Sequence, residues 1–341
     1  MTAPLSASEI VTLGHAFMDA KVLLVAVKLH LFDELQDTPL TGSQIRERLG
    51  LHPRAIPDFP DALVALGVLA RDGDGPGARY ANTRAAADCL VRGRDGYVGG
   101  LLELYNDRTF RFWGDLEEAL RTGAPQNETK QTGRPVFDEL YKSPASVEQF
   151  AAAMSGISRP NFQALAEGFD FGPYRMLCDV GGSAAELSCA VAARYPHLRC
   201  TSFDLPAVEP IARAAIARRG LADRVTTAAG DFFHDPLPRA DVITMGMILH
   251  DWNLEKKKAL IRAAYEALPT GGAFIAIEQL IDDERRENVF GLLVSLTMLL
   301  EVGDGFDFTA ADFRRWCSEA GFQRFAVLRL GGPASAAIAY K

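Results

Sequence analysis

The chain has 341 residues, 48% of them apolar and 23% charged, with a net charge of −8. That length exceeds what one core commonly carries and points to two domains. The acidic balance argues against a general nucleic-acid binder, whose phosphate contacts need a basic face.

The N-terminal MTAPLSASEI has neither a basic n-region nor an apolar h-region, so no secretory signal is expected. Residues 1–100 read as a helical dimerisation domain ending in a small winged element. Ser8 is placed to cap a helix reaching about Leu31. Its apolar positions (Ile10, Leu13, Phe17, Val22, Leu23 and Val27 among them) are too many for one stripe. In a small domain that favours a subunit interface. Two short helices meeting at Gly50, then a Gly/Asp-rich turn between two short strands, suggest a winged helix-turn-helix. Its recognition region, residues 53–66, sets Arg54 against Asp58 and Asp61, which disfavours DNA as a partner.

Residues 101–165 form a helical segment rich in aromatics, with Tyr105, Phe110, Phe112 and Trp113, interrupted by the polar loop RTGAPQNETKQTGRP. Further on, the apolar stretch Val289–Leu300 is broken by Gly291, Ser295 and Thr297. It is too short to span a bilayer and reads as a buried helix, so no membrane partner is expected. Five scattered cysteines without a C-x-x-C pair suit reduced thiols in a cytoplasm.

From residue 166 to 341, strand-like runs alternate with helices: Met176–Val180, Cys200–Leu205, Val225–Ala229, Asp241–Met247, Ala273–Gln279, Phe325–Leu330 and Ala336–Tyr340. Alternation of this kind implies an α/β fold, a Rossmann-like doubly wound sheet covered on both faces. Gly331–Gly332–Pro333 is too short for a parallel crossover, so the last two strands pair as an antiparallel hairpin. Ligands of such sheets sit beyond the carboxyl ends of the strands. There the sequence places Asp179 with Gly181–Gly182, then Asp204, then Gly230–Asp231–Phe232, then His250–Asp251, then Glu278. Asp204 lies 22 residues past Gly182, the spacing at which an acid meets ribose hydroxyls. A third glycine is missing, which makes a nicotinamide enzyme the poorer match.

In order and spacing, DVGG, FDLP, AGDFFHDPLP, ILHDWN, EALPTGG and EAGF resemble the small-molecule O-methyltransferases that use S-adenosyl-L-methionine: the caffeate and acetylserotonin type and its bacterial tailoring relatives. The resemblance spans essentially the whole chain and implies an N-terminal winged-helix module that dimerises. It implies that Gly181 and Gly182 border the methionine part of the cofactor, with Asp179 and Gly230 also at the cofactor site. Asp204 would hold the ribose with Leu205 beside it, and Asp231 and Phe232 would meet the adenine. By the same resemblance His250 is the general base, Glu278 orients it, and Asp307 lies near a second acid. A neutral His of pKa near 6.5 can take a phenol's proton as the methyl transfers, and no metal is called for. The expected substrate wall comprises Phe110, Trp113, Met154, Met247, Asp251, Phe290 and Met298.

After DVGG the resemblance calls for glycine where Ser183 and Ala185 stand. Ser183-x-x-Glu186 reads as a capping box, which would rebuild the loop as a well-capped helix start. The expected activity is methyl transfer to a hydroxyl of a small aromatic or heteroaromatic metabolite by a homodimer. The alternatives are methylation of N, S or C, or a cofactor-binding regulatory protein without turnover.

Overall fold

The computed structural model describes residues 4–94 and 96–341. The chain divides into two compact units, one ending at Arg111 and the other running from Phe112 to Lys341.

The first unit opens with the helix Ala7–Lys28. Its capping box is formed at Ser6: the hydroxyl accepts from the Glu9 N–H at 3.3 Å, and the Glu9 carboxylate accepts from the Ser6 N–H at 2.8 Å. Ser8, the expected cap, lies inside the helix, because only Ser6 has an acid three residues on. The helix stops short of Leu31, where His30 turns left-handed at φ 59 and a second helix, Leu31–Glu34, begins. Strands β1 (Leu40–Thr41), β2 (Leu69–Asp72) and β3 (Arg79–Asn82) form an antiparallel sheet in the order β1-β3-β2. The helices Gly42–Leu49 and Asp58–Ala65 accompany it, and Ile45 and Leu63 join Val27, Leu31 and Phe32 in one core. Among the described residues, Ala7–Lys28 is the one helix long and apolar enough to cross a membrane by length and composition.

The second unit is built on seven strands: β4 (Met176–Val180), β5 (Arg199–Asp204), β6 (Val225–Ala229), β7 (Val242–Gly246), β8 (Ala273–Glu278), β9 (Arg324–Arg329) and β10 (Ser335–Tyr340). They stand in the order β6-β5-β4-β7-β8-β10-β9. The first five pair in parallel, and β10 joins β8 and β9 antiparallel, which is the expected α/β architecture. Strand periodicity sorts the side chains onto two faces. Leu177, Ile275 and Ile277 pack into one core with Leu165, Leu187 and Val191. Cys178, Val180, Phe274 and Ala276 pack into the other with Ile261 and Phe313. The chain leaves β4 toward β5 and β6, then returns to place β7 on the opposite side. This reversal opens a crevice at the carboxyl ends of β4 and β7.

Candidate active site

Strand β4 runs straight into Gly181–Gly182. A Cβ at Gly181, where φ is 71, would stand 2.3 Å from Ile248 Cδ1, and one at Gly182 would stand 2.3 Å from Ser202 Oγ. Only glycine fits at either position. The next residues depart from the expected capping box. Ser183 and Ala185 both hold left-handed backbone, at φ 48 and 56. The helix that follows, Glu186–Arg194, takes Ala185 as its N-cap and has no side-chain capping bond. Ser183 is two residues too far from the helix to cap it, and its N–H donates instead to Asp204 Oδ2 at 2.8 Å. Glu186 does not reach back to Ser183: its carboxylate pairs with Arg219 at 2.7 Å and Arg159 at 3.3 Å.

A left-handed L-residue costs about 1–2 kcal/mol. Ala185→Gly is therefore expected to leave stability within about 1 kcal/mol of wild type, because the strain it removes is offset by the extra freedom glycine gives the unfolded chain and by the loss of a fully buried methyl. Urea denaturation checks this; a midpoint lowered by more than that at unchanged slope would show the left-handed backbone to be unstrained.

Asp204 ends β5 with both carboxylate oxygens engaged: Oδ2 accepts from Ser183 N–H and Oδ1 from Leu205 N–H at 2.7 Å. Burial raises its pKa against those two bonds. Asp179 is buried under the same turn, accepts from the Thr244 hydroxyl at 2.7 Å, and is pushed by burial up to about 7. Asp231 accepts from the Phe233 N–H at 2.9 Å and lies 2.8 Å from His234 Nδ1. Asp179, Gly181, Gly182, Asp204, Leu205 and Asp231 all line a single cavity, and so does Phe232. Gly230 does not; it stands behind, where a Cβ would meet the Phe203 ring at 2.6 Å.

His250 sits on the short 3-10 turn Leu249–Asp251 after β7, almost fully buried. Its Nδ1 lies 3.4 Å from Asp307 Oδ1 and 3.7 Å from Glu278 Oε2, and its Nε2 lies 3.4 Å from Asp251 Oδ1. Glu278 also accepts from the Leu249 N–H at 2.9 Å, which fixes the turn carrying the imidazole. One ligand atom each of His250, Glu278 and Asp307 lies within 4.8 Å of the others, a spacing that would also admit a metal ion. Burial opposes the charged imidazole, but Glu278, Asp307 and Asp251 outweigh it and push His250 up to about 10. The neighbouring carboxylates thus favour the charged imidazole over the neutral one expected from the sequence. Burial raises Asp251 to about 6 and Glu278 to about 7, with His250 opposing both shifts.

The cavity holds about 1310 Å³ of atom-free space, part of it open to solvent. Met154, Met247 and Asp251 of the expected substrate wall line it, whereas Trp113, Phe290 and Met298 do not. Phe110 belongs to the other compact unit, where the Lys21 ammonium stands 4.5 Å from its ring centre. His250, Glu278 and Asp307 are also absent from the wall, so Asp251 is the member of the acid–imidazole cluster that faces the cavity. Phe137, Tyr141, Phe150, Phe162, Phe233 and Trp252 were not foreseen and supply most of the aromatic wall. Phe137 and Trp252 lie 5.7 Å apart centre to centre, and Phe233 meets Trp252 edge-on at 4.7 Å.

Residues 113–323, more than half of the chain, match the O-methyltransferase domain family, and residues 4–92 match the O-methyltransferase dimerisation domain. The chain is 40% identical over 333 residues to the tetracenomycin polyketide synthesis 8-O-methyl transferase TcmO of Streptomyces glaucescens, covering 98% of this chain and 96% of that one. It is 36% identical to the N,N-dimethyltransferase OxyT of Streptomyces rimosus, over 94% of this chain and 93% of the relative. Among solved structures, human N-acetylserotonin methyltransferase in complex with S-adenosylmethionine superposes with a TM-score of 0.91 at 28% identity, covering 100% of this chain and 99% of that one. With a glycine turn, strand-end acids and a buried imidazole gathered at the sheet's switch point, and with both domains matched, the chain belongs to the S-adenosylmethionine-dependent O-methyltransferase family.

Proposed function

We propose that this enzyme methylates a hydroxyl of a small aromatic or heteroaromatic metabolite, works as a homodimer, and takes up the departing proton at the His250–Asp251 pair. One observation carries the reading: a single cavity shares the glycine turn, Asp204 and Asp231 with an aromatic wall and Asp251. The residues fit the cofactor. Glycine at 181 and 182 lets the turn pack close against Ile248 and Ser202 while bordering the cavity, and Asp204 spends one lone pair of each oxygen on the chain and keeps another for a ribose diol. Phe232 offers an apolar face to adenine, and Asp231 an acceptor for its amino group.

S-adenosylmethionine supplies a methyl already activated as a sulfonium. The chain's own task is to hold the acceptor in line and receive a proton. Phe137, Phe150 and Trp252 suit a flat ring, and Asp251 lines the same cavity. Behind it, His250 supplies the positive charge that keeps Asp251 ionised, and the cluster titrates as a unit. The likeness to OxyT favours one second reading, a nitrogen acceptor. Incubation with the cofactor and paired hydroxy- and amino-substituted polycyclic aromatics decides between them by mass spectrometry. O-methylated product is expected, and methylation of the amines alone would overturn the hydroxyl reading.

The dimer rests on the Ala7–Lys28 helix. Ile10, Val11, Leu13, Phe17 and Met18 are each 52–67% exposed, a larger apolar face than one subunit leaves bare to water. This face lies within the dimerisation-domain match. Leu13→Asp combined with Phe17→Asp is expected to give a monomer by light scattering. A dimer surviving both substitutions would place the interface elsewhere. All five cysteines are free thiols, and we assign the enzyme to the cytoplasm.

A further inference from the structure

We infer that the Arg159–Glu186–Arg219 ion network positions the cofactor loop, holding Ser183 and Ala185 in left-handed backbone. Left-handed L-residues persist only where their surroundings over-determine them. Ser183 has one such hold, its N–H on Asp204. Ala185 has no polar side chain and as N-cap provides no capping bond; its own holds are its N–H, which donates to the Gly182 carbonyl at 2.8 Å, and its methyl, buried in the core. The anchor comes one residue later. Glu186 is the first residue of its helix, and its side chain is only 10% exposed. Arg219 Nη2 donates to both of its oxygens at 2.7 Å, while Arg159 donates through Nε and Nη2 at 3.3 Å. Arg159 belongs to the helix Pro144–Gly168, and Arg219 caps the helix Glu209–Arg218. One carboxylate thus ties three helices together immediately after the strained turn.

The network reaches the substrate side as well. The helix bearing Arg159 also carries Met154, Ser158 and Phe162 on the cavity wall. Glu186 borders the cavity too, but both its oxygens are taken by the arginines. It therefore acts on the cofactor through the backbone it anchors and is a positioning residue.

The inference rests on the cofactor site described above, and its test is the affinity for S-adenosylhomocysteine by calorimetry. Glu186→Gln is expected to weaken binding about tenfold or more, since two charge-assisted pairs are lost. Ala185→Gly alone should leave affinity within about threefold, because glycine adopts the same backbone without strain. The double variant Glu186→Gln/Ala185→Gly should return to within about threefold of wild type, since a turn that is no longer strained needs no anchor. In turnover, the Glu186→Gln cofactor KM should rise while kcat at saturating cofactor holds within about twofold, the mark of lost positioning rather than lost chemistry. Two results overturn the inference: Glu186→Gln binding as wild type, or a double variant as weak as the single. Should Glu186→Gln fail to fold, Arg219→Gln with and without Ala185→Gly carries the same comparison. A wild type that binds no S-adenosylhomocysteine removes the cofactor site and this inference together; variants that misbehave beside a binding wild type remove this inference alone.

Discussion

His250→Ala is expected to lower kcat at least roughly a hundredfold while leaving cofactor affinity unchanged, since the ring does not line the cavity that Asp204 and Asp231 share and its proposed role is proton transfer. The pH profile says how it serves. Glu278, Asp307 and Asp251 outweigh burial and raise His250 to about 10, while burial raises Asp251, at the cavity wall, to about 6. A proton acceptor works only when deprotonated, so kcat/KM should rise with pH through the acceptor's pKa and then level off. With a substrate whose hydroxyl stays protonated throughout, the wild-type limb is expected near pH 6 and belongs to the coupled cluster that meets the cavity at Asp251. A limb near pH 10 would instead make neutral His250 the sole acceptor. In His250→Ala the cation that favours ionised Asp251 is gone, so the remaining limb should move to higher pH. Unaltered turnover in that variant would show that the acceptor needs no base.

The sheet was largely legible because each buried parallel strand is a short apolar run bounded by turn residues, and the seven expected strands agree with the observed ones to within a residue or so at each end. Asp204 and Glu278 are the last residues of β5 and β8, so placing the strands placed them, and Asp231 and His250 lie in the turns that follow β6 and β7. The loop after Gly182 was misread for a local reason: Ser-x-x-Glu is a capping box only if the helix starts at the Ser, and here it starts three residues later, at Glu186. Two arginines far away in sequence decide what Glu186 does instead. The aromatic wall was missed because ring density, which favoured 105–113, carries no information about which face of a helix looks into a cavity. Phe137, Tyr141 and Phe150 are spaced like any amphipathic core and line the cavity only through tertiary placement. Asp251, Glu278 and Asp307 were all named near His250 in the sequence, but the 3.4–3.7 Å approach that favours a charged ring is set by tertiary placement.

Asp204→Ala is expected to weaken the binding of S-adenosylhomocysteine by at least about tenfold, and the proposed cofactor site has two reasons for a large effect. The first is the ligand contact: hydrogen bonds to a charged group contribute roughly 1.5–3 kcal/mol, and 1.4 kcal/mol is a factor of ten. The second is the loop. Asp204 accepts from the Ser183 and Leu205 N–H groups, so its loss also frees one left-handed residue of the cofactor turn. Asp204→Asn separates the two. It keeps the size and one oxygen, so one of the N–H groups then faces an NH₂ that cannot accept. If loop anchoring dominates, Asn should be nearly as damaging as Ala; if the diol contact dominates, Asn should recover part of the affinity through its remaining oxygen and its donor. In both variants kcat at saturating cofactor should change little, because Asp204 touches neither His250 nor Asp251. Calorimetric affinity within about threefold of wild type for Asp204→Ala would place the ribose elsewhere in the cavity.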